Sequence, residues 1–268
     1  MTSGLWRRTL FAAAVAMAFG AAQAQTATTV LEATQDYGKI TVPGTGCVLV
    51  NNVWDRKITP EGFAQSVFLE KRGDEALPGW RWNAPGKRSA VLGMPELVCG
   101  DKPWDAPLGL RPEFPFRAGD KRLTADFDIE LEAEGRYDMA FSLWAVAKLP
   151  AVKANITHEI MIMNANSGEP PAGDKIGTLQ TGGTVFDIYL DKNQGMITGP
   201  DPFTWTLIEF IARKPLLKGS LDIGAFIDEL LGRRILTRDH FLTDVELGNE
   251  VSDGAGRVAV RKLDLVIP

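Results

Sequence analysis

Apolar and polar residues alternate along much of the chain after about residue 37, and this pattern predicts β-strands. In the clearest run, residues 126–134, four apolar residues occupy one face and five acids the other. A period of two is typical of an antiparallel strand with one buried and one solvated face. A similar run over residues 137–144 follows a glycine at position 135, so the two runs predict a hairpin.

A single segment shows helical periodicity. It predicts an α-helix over about residues 221–234, with Ser220 as its N-cap, packed against the back of a sheet. Many short strands with one helix predict an all-β sandwich, and no linker or repeat divides residues 37–268, which are expected to form one domain. Two segments rich in proline and glycine, 100–120 and 164–184, are expected to be long loops.

The first 24 residues have the three parts of a secretory signal peptide. Two arginines precede an apolar stretch over residues 10–22, and Ala22 and Ala24 supply the small residues of a cleavage site. The stretch is too short for a permanent transmembrane helix. We therefore expect cleavage after Ala24, a secreted or periplasmic protein without membrane attachment, and a flexible lead-in over residues 25–36.

Charge and cysteine content limit the classes of partner. Without the signal, 27 basic residues face 34 acidic ones, and the net charge of −7 disfavours nucleic acid and anionic membrane surfaces. A neutral polymer is compatible with it, and a monomer is expected. Export permits a disulfide between Cys47 and Cys99, but the sequence leaves both the bonded and the free state open. Neither His158 nor His240 has the spacing from the two cysteines that a zinc site requires.

Two glutamates interrupt apolar alternation in separate predicted strands. Glu159 shares a face with Met161 and Met163, and Glu250 extends the face that carries Glu246. Retaining glycoside hydrolysis needs two carboxyl groups about 5–5.5 Å apart, one as the nucleophile and one as the acid/base. An arbitrary pair of glutamates more often lies on exposed strand faces, so the pair alone is weak evidence.

Six short motifs accompany these glutamates. They are Asn51-Asn52-Val53-Trp54, Gly79-Trp80-Arg81-Trp82, Met94-Pro95-Glu96 continuing to Lys102-Pro103-Trp104, Glu159-Ile160-Met161-Ile162, Pro171-Ala172-Gly173 and Gly248-Asn249-Glu250. In residue type and in order, they resemble the motifs of glycoside hydrolase family 12. The resemblance covers nearly the whole chain after the signal.

The resemblance implies a β-jelly roll of two curved antiparallel sheets with one packed helix, whose concave sheet binds a β-1,4-linked glucan. It implies a retaining endo-β-1,4-glucanase without a cofactor, with Glu159 as nucleophile and Glu250 as general acid/base. Cellulose-type glucan, mixed-linkage glucan and xyloglucan remain open as substrates. The sugar contacts expected from the family are Asn52, Trp54, Trp82, Trp104, Met161 and Met163.

Three positions depart from the family pattern. Ser142 stands where the family usually has an aspartate near the nucleophile, and we expect it to support Glu159 by a hydrogen bond. Met163 replaces a tryptophan, which predicts altered sugar binding there. Asn249 replaces the threonine before the acid/base.

The departures keep a second function class open beside the enzyme. A jelly roll that binds glucan without cleaving it, or cleaves it weakly, would also carry these motifs. A structural envelope protein explains the signal peptide but not the ordered motifs.

Overall fold

The computed structural model describes residues 28–87, 90–105, 111–196 and 203–268. The predicted signal peptide lies outside the described residues. One α-helix, α1 (Ile223–Gly232), and one 3₁₀ turn, Lys153–Asn155, occur among them. The strands are β1 (Thr28–Ala33), β2 (Lys39–Val42), β3 (Cys47–Val53), β4 (Ala64–Arg72), β5 (Glu75–Ala84), β6 (Gly93–Gly100), β7 (Phe116–Arg117), β8 (Thr124–Glu134), β9 (Tyr137–Val146), β10 (Ile156–Ser167), β11 (Asp174–Thr181), β12 (Thr184–Met196), β13 (Phe203–Ala212), β14 (Lys218–Asp222), β15 (Phe241–Leu242), β16 (Asp244–Gly248) and β17 (Gly254–Val266).

The strands form two sheets, which confirms the predicted all-β jelly-roll architecture. The small sheet has the order β1-β4-β5-β17-β8-β14, and the large sheet runs β11-β12-β13-β10-β9-β16-β6-β3-β2, with β7 and β15 attached beside β9. The described strand pairs are antiparallel except for β10 and β13, which run parallel. After β10 the chain crosses to the edge of the sheet, then reverses twice through β11 and β12 before returning as β13.

The main hydrophobic core lies between the two sheets. Alternation along β9 and β10 sends Phe141, Leu143, Ile160 and Ile162 into this core, as predicted. The opposite face of the large sheet carries polar and charged side chains together with a separate small apolar cluster around Met161. We call this opposite face the site face.

Helix α1 covers one end of the core, and its apolar face was correctly predicted. Phe226 packs edge-on against the rings of Phe186 and Phe210 from β12 and β13. The predicted N-cap is wrong, because Ser220 belongs to β14 and the cap position is Asp222. None of the helices described combines the length and apolar character needed to cross a membrane.

Two predicted irregular segments are strands instead. Residues 28–33 of the predicted lead-in form β1, because their backbone pairs with the edge of β4. Most of the predicted loop over 164–184 is also strand, since β10 continues to Ser167 and β11 begins at Asp174. The loop proper is the crossover segment 168–173, where the proline pair interrupts the strand pattern.

The disulfide that the sequence left open is present. Cys47 and Cys99 lie on the neighbouring strands β3 and β6, and their sulfur atoms are bonded at 2.00 Å. The bond joins two strands near the edge of the large sheet.

Candidate active site

Glu159 and Glu250 lie on either side of β9. Glu159 is on β10 opposite Trp144, and Glu250 follows the end of β16, whose Gly248 pairs with Ala140 of β9. Glu159 is level with Trp144 and Glu250 lies beside Asp138, so the two glutamates are offset along β9 as well as across it. Their carboxyl groups are close enough that the charge of Glu159 raises the pKa of Glu250. Both residues keep some solvent contact.

The carboxyl group of Glu159 is densely surrounded. Loss of hydration raises its pKa from 4.5 to about 7, opposed by a hydrogen bond from Trp205 and by the charge of Lys102. The Trp205 Nε1–H group donates to Glu159 Oε2 at 2.7 Å. Negative charge on Glu209 and Glu96 adds to the upward shift.

Glu250 lies beside a second buried acid, Asp138. Desolvation is the largest cause that raises the pKa of Glu250 well above its ordinary value, followed by repulsion from Asp138 and Glu159. The Glu250 backbone N–H donates to Asp138 Oδ1 at 2.9 Å, which fixes the start of the segment that carries the glutamate. Burial also raises the pKa of Asp138, although the Glu250 amide opposes the shift.

Asn249, which directly precedes Glu250, also anchors this segment. Its amide group donates to the Asp138 backbone oxygen, and its Oδ1 accepts from Trp80 Nε1 at 2.7 Å. Threonine at this position would offer one hydroxyl in place of these two opposed contacts. The replacement is therefore a structural anchor that links Glu250 to β5 of the small sheet.

A buried ion cluster lies on β6 and β16. Lys102 Nζ is 2.9 Å from both Glu96 Oε1 and Glu246 Oε1. Burial opposes its charge, but the two glutamates outweigh burial and raise its pKa. Burial, and next repulsion from Glu246, raise the pKa of Glu96 to about 8. Asn52 Nδ2 donates to the same Glu96 oxygen at 2.9 Å, so the cluster orients Asn52.

Aromatic rings fill the end of the site face beyond Glu159. Trp104 makes edge-to-face contacts with Trp144 at 5.4 Å, Phe203 at 5.7 Å and Trp205 at 5.5 Å. The Lys153 ammonium lies 4.8 Å from the centre of the Trp104 ring. Aromatic pairs prefer edge-to-face or offset geometry, so these contacts favour a particular orientation of each ring.

The sequence profile of glycosyl hydrolase family 12 matches residues 47–265. The chain belongs to this family. The chain is 26% identical to Endoglucanase S of Pectobacterium parmentieri over 215 residues, and this match covers 79% of this chain and 78% of the relative. It is 24% identical over 253 residues to a probable xyloglucan-specific endo-β-1,4-glucanase A of Neosartorya fischeri, covering 92% of this chain and 94% of the relative.

Solved structures of family 12 enzymes share the fold. The family 12 xyloglucanase of Bacillus licheniformis superposes with a TM-score of 0.77 at 24% identity, covering 89% of this chain and all of that one. Endoglucanase Cel12A of Rhodothermus marinus gives a TM-score of 0.69 at 19% identity, covering 89% and 99%. As a member of family 12, the chain is a glycoside hydrolase.

Three of the expected family 12 sugar contacts are buried. Trp82 is wrong as a sugar contact, because it is 4% exposed and packs in the main core against Tyr137. The ring lies so close to Gly256 that a Cβ atom there would approach it to 2.4 Å. Met161 and Met163 are 1% and 2% exposed, and Leu207 helps to bury them. They lack the exposed surface that a sugar contact needs.

The other expected contacts remain accessible. Trp54 is 44% exposed directly after β3, and Trp104 is partly exposed in the aromatic cluster. Asn52 is partly exposed and held by Glu96. Their roles in binding remain predictions.

Ser142 does not make the predicted hydrogen bond to Glu159. It is fully buried between its cross-strand neighbours Met161 and Glu246, and its Oγ has no hydrogen-bond partner among the residues that the structure describes. Register explains the difference, since Glu159 lies opposite Trp144 and not opposite Ser142.

Replacing Ser142 with alanine is therefore expected to keep or raise stability. Removing a buried hydroxyl without a partner should change the free energy of unfolding by about 0 to +1 kcal/mol, measured by urea unfolding. As a contrast, Ser142→Asp places a second carboxyl beside Glu246 and should destabilise the fold. A loss above about 1 kcal/mol in Ser142→Ala would mean that the hydroxyl is bonded after all.

Sequence reasoning missed Glu209 on β13. It is 4% exposed, lies opposite Met161 on β10, and accepts the Ala172 backbone N–H at 2.8 Å. Burial raises its pKa from 4.5 to about 7, with the Ala172 hydrogen bond opposing. Glu209 thus holds the crossover segment 168–173 against β13. The same signal that identified Glu159, an acid within an alternating apolar run, was available here.

Proposed function

We propose that this chain is an exported endo-acting hydrolase that cleaves β-1,4-linked glucan with retention of configuration. The observation that carries the proposal is the pair Glu159 and Glu250, two desolvated carboxyl groups on one face that flank a single strand. Family membership supplies the reaction class. The names of relatives from bacteria and fungi, which include endoglucanases and xyloglucanases, support a glucan substrate.

The surroundings of the two carboxyl groups support different roles. Glu159 has a hydrogen-bond donor in Trp205 and a nearby cation in Lys102, and both favour the ionised form. Glu250 faces two further acids, Asp138 and Glu159, which favour the protonated form. This split assigns Glu159 as nucleophile and Glu250 as general acid.

The proposed reaction has two displacements. The Glu159 carboxylate attacks the anomeric carbon while Glu250 gives its proton to the departing glycosidic oxygen. A glycosyl ester on Glu159 and a shortened chain with a free hydroxyl result. Glu250, now ionised, takes a proton from water as the water oxygen attacks the anomeric carbon and releases Glu159. The two inversions restore the original configuration.

Sugar binding is proposed at the accessible polar and aromatic positions. Trp54 offers an exposed indole face, and an indole over a pyranose ring buries apolar C–H surface. Asn52 offers an amide that Glu96 orients. Trp104 contributes from the aromatic cluster on the other side of Glu159.

Export and a monomeric state complete the proposal. The signal-like first 24 residues support export, and the disulfide between Cys47 and Cys99 suits an oxidising compartment. The acidic surface charge suits a neutral polymer as substrate.

Purified mature protein tests the proposal on barley β-glucan, carboxymethylcellulose and xyloglucan. Endo cleavage should lower viscosity before many reducing ends appear, and ¹H NMR should detect the β-anomer of the product first. The α-anomer appearing first would contradict retention. Retardation on a glucan affinity gel without any fall in viscosity would instead support a binding protein.

A further inference from the structure

The nucleophile candidate receives its side-chain hydrogen bond from a tryptophan. In the described part of the chain, the Nε1–H group of Trp205 at 2.7 Å is the side-chain donor to the Glu159 carboxylate. Position 142, where the family usually has an aspartate, carries a serine whose hydroxyl has no hydrogen-bond partner in that same part of the chain. The support for Glu159 therefore comes from β13 and not from β9.

We propose that Trp205 is a positioning residue for the nucleophile, and that its indole N–H orients the Glu159 carboxylate and stabilises its ionised form. The inference rests on the proposed role of Glu159. An indole on β13 would thus support the Glu159 carboxylate, since position 142 carries no acid that could do so.

The backbone places Trp205 correctly for this task. Parallel pairing of β10 with β13 sets Leu207 opposite Glu159, and Trp205 lies two residues earlier on the same face. Its ring is held by edge-to-face contacts with Trp104 at 5.5 Å and Trp144 at 5.6 Å. A ring fixed from two sides aims its single N–H group without a further loss of side-chain freedom.

The chemistry of the indole differs from that of a carboxyl group. An indole N–H only donates, so it cannot take the proton of Glu159 or repel its charge. A hydrogen bond to an ionised acceptor is short and stronger than a neutral one. Trp205 consequently favours the carboxylate at every pH at which the enzyme works.

Charged groups from the surrounding elements face Glu159 as well. Lys102, after β6, favours its ionised form, whereas Glu209 on β13 and Glu96 on β6 oppose it. Glu250 after β16 is also close enough to interact with it. Acids outnumber the one cation in this set, so losing the Trp205 donor leaves Lys102 as the main support for the carboxylate.

The test compares Trp205→Phe with Trp104→Phe. Both remove one indole N–H from the same aromatic cluster, but the Trp104 N–H has no hydrogen-bond partner within the described ranges. The substrate is an aryl β-cellobioside with a good leaving group, followed as kcat/KM against pH. In Trp205→Phe the acid limb of this profile, which reports ionisation of Glu159, should move up by about 1 pH unit. At pH values below the limb, kcat/KM should therefore be about tenfold lower than in wild type.

Trp104→Phe should keep the wild-type acid limb even if its KM changes. A purely structural role for Trp205 would lower activity at all pH values and leave the limb in place, which would overturn the inference. An acid limb that moves equally in both variants would overturn it too. Unfolding curves of both variants verify that each is folded at the assay temperature.

A second readout does not depend on activity. In ¹⁵N-labelled protein, the indole resonance that disappears in Trp205→Phe should shift as Glu159 titrates, and this pH dependence should vanish in Glu159→Gln. A resonance whose titration is unchanged in Glu159→Gln would overturn the inference. A wild type inactive on all glucans but with the titrating resonance would overturn the proposed function and leave the hydrogen bond established.

Discussion

Replacing Glu159 with glutamine should lower kcat on a soluble β-glucan by about 10⁴-fold or more. Glutamine keeps the shape and can still accept the Trp205 N–H group, but it is not a nucleophile for the anomeric carbon. The fold should persist, because the replacement removes a partly desolvated charge and adds no bulk. Initial rates by reducing-end assay measure the effect, and Glu132→Gln, an exposed change on β8, is the control.

Glu250→Gln should show a different dependence on the leaving group. A sugar leaving group needs the proton of Glu250, so hydrolysis of the polymer should fall by about 10²–10⁴-fold. An activated aryl leaving group departs without a proton, and formation of the glycosyl ester should then be slowed far less. Equal losses on polymer and aryl substrate in both variants would contradict the separate roles assigned to the two glutamates.

Raising the pH from about 5 to about 8.5 should lower the free energy of unfolding by several kcal/mol. Burial raises the pKa of Glu96 to about 8 and those of Glu159, Asp244 and Glu246 to about 7. An acid whose pKa is higher in the folded state binds its proton more tightly there. Its contribution to stability is full below the unfolded pKa and is lost as the pH rises through the folded pKa.

Glu209 allows this pH effect to be tested on a single group. Its pKa is raised from 4.5 to about 7, and a shift of this size corresponds to about 3 kcal/mol. Glu209→Gln keeps an acceptor for the Ala172 amide but never ionises, so it should be more stable than wild type near pH 8.5 and similar near pH 5. Urea unfolding at both pH values measures this, with Glu132→Gln as the exposed control. A Glu209→Gln profile parallel to that of wild type would contradict the prediction.

His158 acts in the opposite direction on the acid side. Burial and the neighbouring His240 lower its pKa from 6.5 to about 4, so the unfolded chain binds this proton first as the pH falls. Between about pH 6.5 and 4.5 this loss offsets only part of the gain from the more numerous buried acids. Below about pH 4.5 the buried glutamates gain nothing further, so stability should decline there, and its maximum is expected near pH 4.5.

Periodicity predicted the fold and the orientation of side chains well. The faces of β9 and β10 were correct because side-chain direction in a strand depends only on counting by two. The position of Glu159 on the site face follows from the same count. Family motifs then supplied the pairing of Glu159 with Glu250, which periodicity alone does not contain.

Contacts between residues of distant strands could not be predicted from the sequence. Trp82 and Trp205 are both aromatic residues within strands, yet one packs in the core and the other contacts Glu159. The difference depends on which face each strand turns to its neighbours and on strand order. The predicted hydrogen bond from Ser142 to Glu159 was wrong for the same reason, because the neighbours of Ser142 depend on the register of β9 with β10 and β16.

Local capping was also overridden by pairing. Ser220 has the chemistry of an N-cap, but the strand pairing of β14 with β8 occupies its backbone. The helix therefore begins only at Ile223.

The hydrogen bond from Trp80 to Asn249 connects the small sheet to the segment that carries Glu250. Trp80 belongs to the small sheet, and Asn249 directly precedes Glu250 beside the large one. A shift of one sheet relative to the other would therefore move the Glu250 side chain. In the proposed mechanism Glu250 is the general acid, so substitutions in the core between the sheets should alter kcat through its position as well as through stability.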